Sequence, residues 1–266
     1  MKKILVFIAF VLLFSSCSEY QKALKSEDVA VKYEAAEKMY EAKKYSKAIR
    51  LFEQIAPAYK GKPSAEKMFY MYAQSLYNTK QYYLAGHQFE SFAANYPKSQ
   101  KLEEASFLGA KSYSKLSPVF SLDQVDTYKA IEKLQNFIDE YPESTYLTDA
   151  NIVAKDLREK LEKKAFETAK QYNTIENHKA AVVALDNFII NYPGTPFKEK
   201  ALYYKLDSAY KLAINSVPAK MQERLENAKN AYVSLVKFNA STEFKSKADE
   251  MLARIENDLK QFSKIN

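Results

Sequence analysis

The chain of 266 residues contains one cysteine, two histidines, four glycines and no tryptophan. One cysteine cannot form an intramolecular disulfide, so the fold has to be stabilised by burial of apolar surface. Four scattered glycines are too few for a glycine-rich phosphate loop, and no zinc or EF-hand spacing occurs. His87 and His178 lie on predicted helices, and neither has a cysteine or a second histidine at ligand spacing. These absences predict a protein without cofactor, metal or catalytic residues.

The composition instead favours long helices that pack through large side chains. Hydrophobic residues make up 47% of the chain and charged residues 27%, with 21 tyrosines and 16 phenylalanines. Such a chain is not disordered as a whole. The formal charge of +7 falls to +5 if Lys2 and Lys3 are removed with a signal peptide. The remaining lysines are mixed with glutamates, as on solvated helix faces, so we expect no nucleic-acid partner.

The N-terminus has the features of an export signal. Lys2 and Lys3 precede an apolar run of eleven residues, Ile4 to Phe14, which two serines and Cys17 follow. A membrane-spanning helix needs roughly 20 residues, so the run is too short to be one. The segment resembles a bacterial lipoprotein signal, which implies cleavage after residue 16 and acylation of Cys17. An ordinary signal that happens to contain a cysteine is the alternative. Residues 17–28 are then expected to be the lipidated cysteine and a polar linker.

One local pattern, with large side chains spaced three and then four residues apart, recurs along the chain. These are the spacings of one helix face. Three of the four copies end in Tyr-Pro, and proline forces the residue before it out of the helical conformation. The hydroxyls of Ser99, Ser144 and Thr195 follow and are expected to cap the next helices. The copies are Phe52, Ile55 and Tyr59; Phe89, Phe92 and Tyr96; Leu134, Phe137 and Tyr141; and Leu185, Phe188 and Tyr192.

A weaker fifth copy comprises Tyr232, Leu235 and Asn239. The last residues of the five copies are 37, 45, 51 and 47 residues apart. Periods of this length with two helices per unit predict an all-α, tetratricopeptide-like (TPR-like) superhelical solenoid of about five helix pairs over residues 29–266. Loops are expected at 114–125 and 216–218, and a long first helix in the fourth pair.

The tyrosines are the most informative candidates for a binding surface. Tyr70 lies in the first helix of the second pair, and three more lie in the first helix of the fifth pair, namely Tyr203, Tyr204 and Tyr210. Aromatic residues at helical spacing usually form core. The alternative is that they line a groove, where tyrosine offers apolar area and a hydroxyl together.

Five stretches, taken in order along the chain, carry a family resemblance, namely residues 17–26, 48–53, 126–132, 136–142 and 162–167. Together they resemble the BamD family of outer-membrane assembly lipoproteins, also called YfiO. The resemblance implies a lipoprotein that is anchored in the outer membrane and faces the periplasm.

The same resemblance implies a non-enzymatic scaffold of the β-barrel assembly (BAM) complex. The C-terminal half, about 146–266, would bind the periplasmic domains of a BamA-like barrel subunit, with Tyr203, Tyr204 and Tyr210 at the interface. The N-terminal half, about 29–145, would offer a groove for unfolded outer-membrane proteins, at the positions of Tyr59, Lys60 and Tyr70. Other lipoproteins of the complex are further implied partners. The first repeat departs from the pattern, because Lys60 and not proline follows Tyr59.

Two other functions fit parts of the sequence. One is a different periplasmic TPR adaptor lipoprotein, in cell division or peptidoglycan synthesis. The other is a glycan-binding lipoprotein at the cell surface, which would need aromatic platforms that usually contain tryptophan. The absence of tryptophan, and of an acidic run after Cys17, disfavours the glycan-binding alternative.

Overall fold

A computed structural model describes residues 19–262 of the chain, and every regular element within this range is a helix. We number the helices in chain order, beginning with the helical residues 19–25 as α1. The others are α2 (Val29–Glu41), α3 (Tyr45–Tyr59), α4 (Ala65–Asn78), α5 (Tyr82–Asn95), α6 (Leu102–Ser114), α7 (Val125–Glu140), α8 (Leu147–Thr174), α9 (His178–Asn191), α10 (Lys198–Ile214), α11 (Pro218–Phe238) and α12 (Lys245–Phe262).

Helices α2 to α11 form five consecutive pairs, and α12 packs on α11. The prediction of an all-α, TPR-like fold is therefore confirmed. The predicted loop in the third pair lies between Ser114 and Val125, and Pro218 occupies the first turn of α11 after the predicted break. The fourth pair begins with α8, which at 28 residues is the long helix that the sequence predicts.

The Tyr-Pro motifs end their helices in nearly identical conformations. Tyr96, Tyr141 and Tyr192 follow the last residue of α5, α7 and α9, with φ of −126°, −125° and −127°. Each tyrosine N–H still donates to the carbonyl four residues earlier, at 2.9–3.0 Å. The hydroxyls of Ser99, Ser144 and Thr195 then accept from the backbone N–H two residues later, just before the first helical residue. They therefore stabilise the turn, whereas α6 and α10 have no side-chain cap of the predicted kind.

Within three of the pairs, the two helices are joined by the same tight turn. Its central residue has a positive φ of 55° at Lys43, 62° at Lys80 and 61° at Glu176. The N–H of the next residue donates to the carbonyl five residues back, at 2.8–2.9 Å in each case. The recurrence of this left-handed turn at lysine and glutamate shows that the repeat is set by backbone hydrogen bonding rather than by glycine.

The described residues divide into two compact units. Unit 1 contains 19–118 and 124–157, and unit 2 contains 119–123 and 158–262. Unit 1 has its core between successive helices of the first three pairs, where Phe52, Phe89 and Leu134 are fully buried. In unit 2 the fourth and fifth pairs pack around Phe166 and Leu206.

Residues 19–25 differ from the polar linker expected before the first pair. Tyr20 and Ala23 are each only 3% exposed and belong to the core cluster of the first pair, with Leu24 packed against it. Their spacing puts all three on one face of α1, which explains why this short segment is helical. Cys17 and the expected signal peptide lie outside the described residues.

Candidate functional site

The first helices of the three pairs in unit 1 surround a cavity of about 560 Å³, which we call the α4 cavity. Helix α4 contributes the most side chains, and α2 and the start of α6 complete the wall. Much of the lining is polar or charged, which a packed core would not tolerate. The lining includes Tyr40, Tyr70, Gln74, Lys101 and Glu104.

A hydrogen-bonded network crosses this cavity. The hydroxyl of Tyr40 donates to Oε1 of Gln74 at 2.5 Å, and Nε2 of Gln74 donates to the Tyr70 hydroxyl at 2.6 Å. On the other side, Nζ of Lys101 lies 2.8 Å from Oε2 of Glu104 and 5.4 Å from the centre of the Tyr70 ring. Helices α2, α4 and α6 are thereby linked through side chains on the cavity wall.

The charges of this network are fixed near neutral pH. Burial, and then the hydrogen bond to Glu104, raises the pKa of Tyr70, so its hydroxyl stays protonated. Burial opposes ionisation of Glu104, but hydrogen bonds from Lys101 and Tyr70 outweigh it and lower the pKa of the carboxyl. The hydrogen bond to Glu104 raises the pKa of Lys101. The network therefore presents one cation, one anion and neutral donors. Glu41, Glu66 and Lys67 add further charges to the cavity wall, and this composition suits the binding of a polar ligand.

A second cavity, of about 570 Å³, lies between the turn after α3 and helices α4 and α5. Lys60, Lys62, Gln88 and Asn95 contribute polar side chains to it. Tyr59 lies beneath the same turn, in the core, where its ring stacks on Tyr33 with centroids 5.1 Å apart. The loop from Lys60 to Lys62 thus forms part of this second cavity and covers Tyr59.

The three residues expected in the groove do not share one cavity. Lys60 lines the second cavity and Tyr70 the α4 cavity, while Tyr59 is mostly buried. Gln74 and Glu104 are not among the site residues predicted from the sequence. Gln74 follows Tyr70 by four residues and interrupts the apolar run 68–73 of α4, and this polar interruption is the signal that points to it.

The three tyrosines expected at a partner interface are half-buried in unit 2 and belong to different clusters. Tyr203 stacks on Phe244 of α12 with centroids 4.1 Å apart. Tyr204 packs on Phe166 of α8 at 6.2 Å, and Tyr210 joins a cluster near the end of α10. The rings of Tyr203 and Tyr204 contact each other with centroids 5.4 Å apart, but the three tyrosines do not form one aromatic cluster.

More exposed apolar side chains occur on α9 and α11. Ile190 is 72% exposed and Val183 lies seven residues earlier on the same face of α9, while Val233 and Phe238 are exposed on α11. The repeated pattern of large side chains does not include these residues, because that pattern marks only the buried face. Helix α9 is apolar around most of its circumference, which is the sequence signal for a second, uncovered face.

The two histidines are separate from these surfaces. His87 is exposed on α5, and His178 opens α9. Across residues 19–262, no three His, Cys, Asp or Glu side chains are grouped as metal ligands would be. Each described helix is too short or too polar to cross a bilayer.

Comparisons with known proteins give one informative match. The family model described as YfiO, outer membrane lipoprotein, matches residues 25–225. No curated protein matches the chain. Among solved structures, a Podospora anserina protein described as having nearly identical TPR-like repeats is 17% identical, with 80% of this chain and 97% of that chain covered and a TM-score of 0.33.

Proposed function

Because this chain belongs to the YfiO (BamD) family of outer membrane lipoproteins, we propose that it is a non-enzymatic scaffold in the assembly of outer-membrane β-barrel proteins. The family match over residues 25–225 carries this proposal. The fixed charges of the α4 cavity support a role in binding. In this function Cys17 carries the lipid, and the helix pairs face the periplasm.

Unit 1 would bind extended segments of unfolded outer-membrane proteins. The α4 cavity offers Gln74, whose amide can pair with peptide groups, together with Lys101, Glu104 and the Tyr70 ring. An unfolded barrel strand alternates apolar side chains with polar ones and exposes its backbone groups. A wall that mixes an aromatic ring, an amide and charges matches that pattern.

Unit 2 would bind the periplasmic domains of a BamA-like barrel subunit. The expected tyrosines, Tyr203, Tyr204 and Tyr210, are half-buried and would contribute their solvent-exposed parts to this surface. The uncovered side chains Val183 and Ile190 add apolar area of the kind that interface centres use. Other lipoproteins of the complex would bind elsewhere on the repeats.

Co-purification from detergent-solubilised outer membrane tests the proposal. We expect the protein to recover a large barrel protein with periplasmic repeats, and Val183→Asp/Ile190→Asp to reduce that recovery. Val31→Asp, at an exposed apolar position of unit 1, is the matched control. Recovery of division or peptidoglycan-synthesis proteins instead of a barrel subunit would select the alternative, a periplasmic adaptor of another process.

A peptide-binding assay tests the groove separately. Gln74→Leu keeps the size of the side chain but removes its donor and acceptor, so the affinity for unfolded barrel segments should fall by about tenfold. Gln54→Leu, on α3 outside the cavity, should leave that affinity unchanged. Equal affinities of the two variants would show that the α4 cavity is not the groove.

A further inference from the structure

The position of α1 restricts where the proposed lipid can lie. Tyr20 is buried against the first pair, and Nζ of Lys47, in the first turn of α3, lies 5.0 Å from the centre of its ring. Cys17 precedes Tyr20 by only three residues. Even a fully extended chain spans at most about 11 Å over that distance. A lipid on Cys17 would therefore hold the start of α3 close to the membrane.

The start of α3 belongs to one edge of unit 1. Tight turns reverse the chain within the first two pairs, so α3 and α5 begin on the same side. Helix α7 begins there too, because Nζ of Lys129 lies 4.6 Å from the Tyr113 ring at the end of α6 and 6.0 Å from the Tyr83 ring at the start of α5. We call this side the lysine edge. The opposite edge carries the turns that follow α3, α5 and α7.

Basic residues dominate the lysine edge. The turns before α3, α5 and α7, with the helical residues next to them, carry three acidic side chains, Glu41, Asp123 and Asp126. The turns before α3 and α5 each place a lysine, Lys43 and Lys80, at the exposed position with positive φ. The basic residues are Lys43, Lys44, Lys47, Lys80 and Lys129.

Exposed apolar and aromatic side chains stand among these lysines. Tyr83 and Tyr128 are each 63% exposed, Val125 is 69% exposed, and Leu84 is also exposed. Tyrosine favours the headgroup region of a bilayer, where its ring and its hydroxyl both find suitable surroundings. Lysine keeps its charge in the headgroup layer while its methylene stem covers apolar surface.

We propose that the lysine edge of unit 1 lies on a membrane surface that contains anionic lipid headgroups. The inference rests on the proposed lipidation of Cys17, which fixes the edge at the bilayer, and on the charge and aromatic side chains of the edge itself. The first repeats then stand with their turns on the lipid, and the opposite edge, with the second cavity, points away from it.

Vesicle binding tests the chemistry of the edge without the lipid. The mature chain with Cys17→Ser is compared with variants that also carry Lys43→Glu/Lys80→Glu or Lys25→Glu/Lys98→Glu. The two double variants change the charge equally, but Lys25 and Lys98 lie on the opposite edge. The variant with glutamate at residues 43 and 80 should fold normally, because Glu176 occupies the same turn position in the fourth pair.

We expect binding to phosphatidylglycerol-containing vesicles to weaken by about tenfold or more in the lysine-edge variant, since each lysine near an anionic surface contributes roughly fivefold. The opposite-edge variant should stay within about twofold, and 0.5 M salt should remove the difference. Equal losses in both variants, or no loss in either, would overturn the proposal. Such results would not contradict the proposed assembly function, because co-purification of the barrel subunit tests that function independently.

A second measurement uses the lipidated protein in vesicles. Acylation occupies the only natural thiol, so Tyr83→Cys or Lys98→Cys supplies a unique site for a fluorophore. A nitroxide on lipid headgroups should quench the probe at residue 83 and not the probe at residue 98. Equal quenching at both sites would mean that the edge does not face the membrane. Absence of fatty acid on Cys17 would refute the proposed anchor. The vesicle comparison would still show whether the lysine edge binds anionic lipid headgroups.

Discussion

Replacing Gly86 by alanine should destabilise this protein, although alanine is the better helix former. In a helix interior this change normally contributes about 0.5–1 kcal/mol of stability. At Gly86, in α5, the added Cβ would lie 3.0, 3.1 and 3.3 Å from three atoms of the Tyr113 ring. The α5–α6 contact therefore leaves no room for a methyl group unless the ring moves.

The Tyr113 ring is held from several sides. It is buried, its hydroxyl donates to Oε2 of Glu90 at 2.8 Å, and Nζ of Lys129 lies 4.6 Å from its centre. Displacing the ring would weaken these contacts, and overpacking of this kind costs about 1–3 kcal/mol. After the helix gain is subtracted, Gly86→Ala should lower the free energy of unfolding by about 0.5–2 kcal/mol.

A double-mutant cycle tests this explanation, because the effect of Gly86→Ala on stability should change sign when Tyr113 is removed. In a Tyr113→Ala background the Cβ at residue 86 has space, so Gly86→Ala should there raise the stability by about 0.5–1 kcal/mol. Urea unfolding followed by far-ultraviolet circular dichroism measures all four chains. A higher midpoint for Gly86→Ala in the parent chain would refute the argument, because it would mean that the ring yields without cost.

Three further outcomes are expected. Cys17→Ala should abolish labelling by a fatty-acid analogue, and persistent labelling would refute lipidation at this thiol. Tyr141→Ala should lower the free energy of unfolding by about 2–3 kcal/mol, because Tyr141 packs half-buried beside Phe137. This loss is smaller than that for a fully buried aromatic residue, and an unchanged urea midpoint would refute the packing. Asn173→Ala removes two buried donations, to Asp207 and Ser208, and should cost about 1–3 kcal/mol; a loss no larger than that of the exposed Asn151→Ala would contradict it.

The sequence predicted the helix pairs well, because their signals are local. Proline after Tyr96, Tyr141 and Tyr192 stops a helix whatever surrounds it, and the three-and-four spacing identifies the buried face directly. The structure confirms each of these helix ends. A helix end of this kind needs no knowledge of which helices are neighbours in space.

The candidate sites were harder to predict, because they depend on contacts between distant residues. Gln74 bonds to Tyr40, 34 residues away, and Glu104 lies on a different helix from Tyr70. No spacing within one helix reveals such a pair. The role of α1 was missed for a similar reason: Tyr20 and Ala23 form an apolar face too short to stand out until the first pair covers it.

The fifth repeat shows how the fold tolerates the loss of its most visible motif. In the second pair, the Ser99 hydroxyl after the Tyr-Pro turn donates to Glu66, in the first turn of the first helix, at 2.6 Å. The fifth pair has Asn239 where the others have tyrosine, and its side-chain amide donates to Glu199, again in the first turn of the first helix, at 3.1 Å. Asn239 itself has φ −146°, so the chain leaves the helix without a proline. In these two pairs the turn is therefore held by a side chain that reaches back to a glutamate at the second position of the first helix, whether or not the Tyr-Pro motif is present.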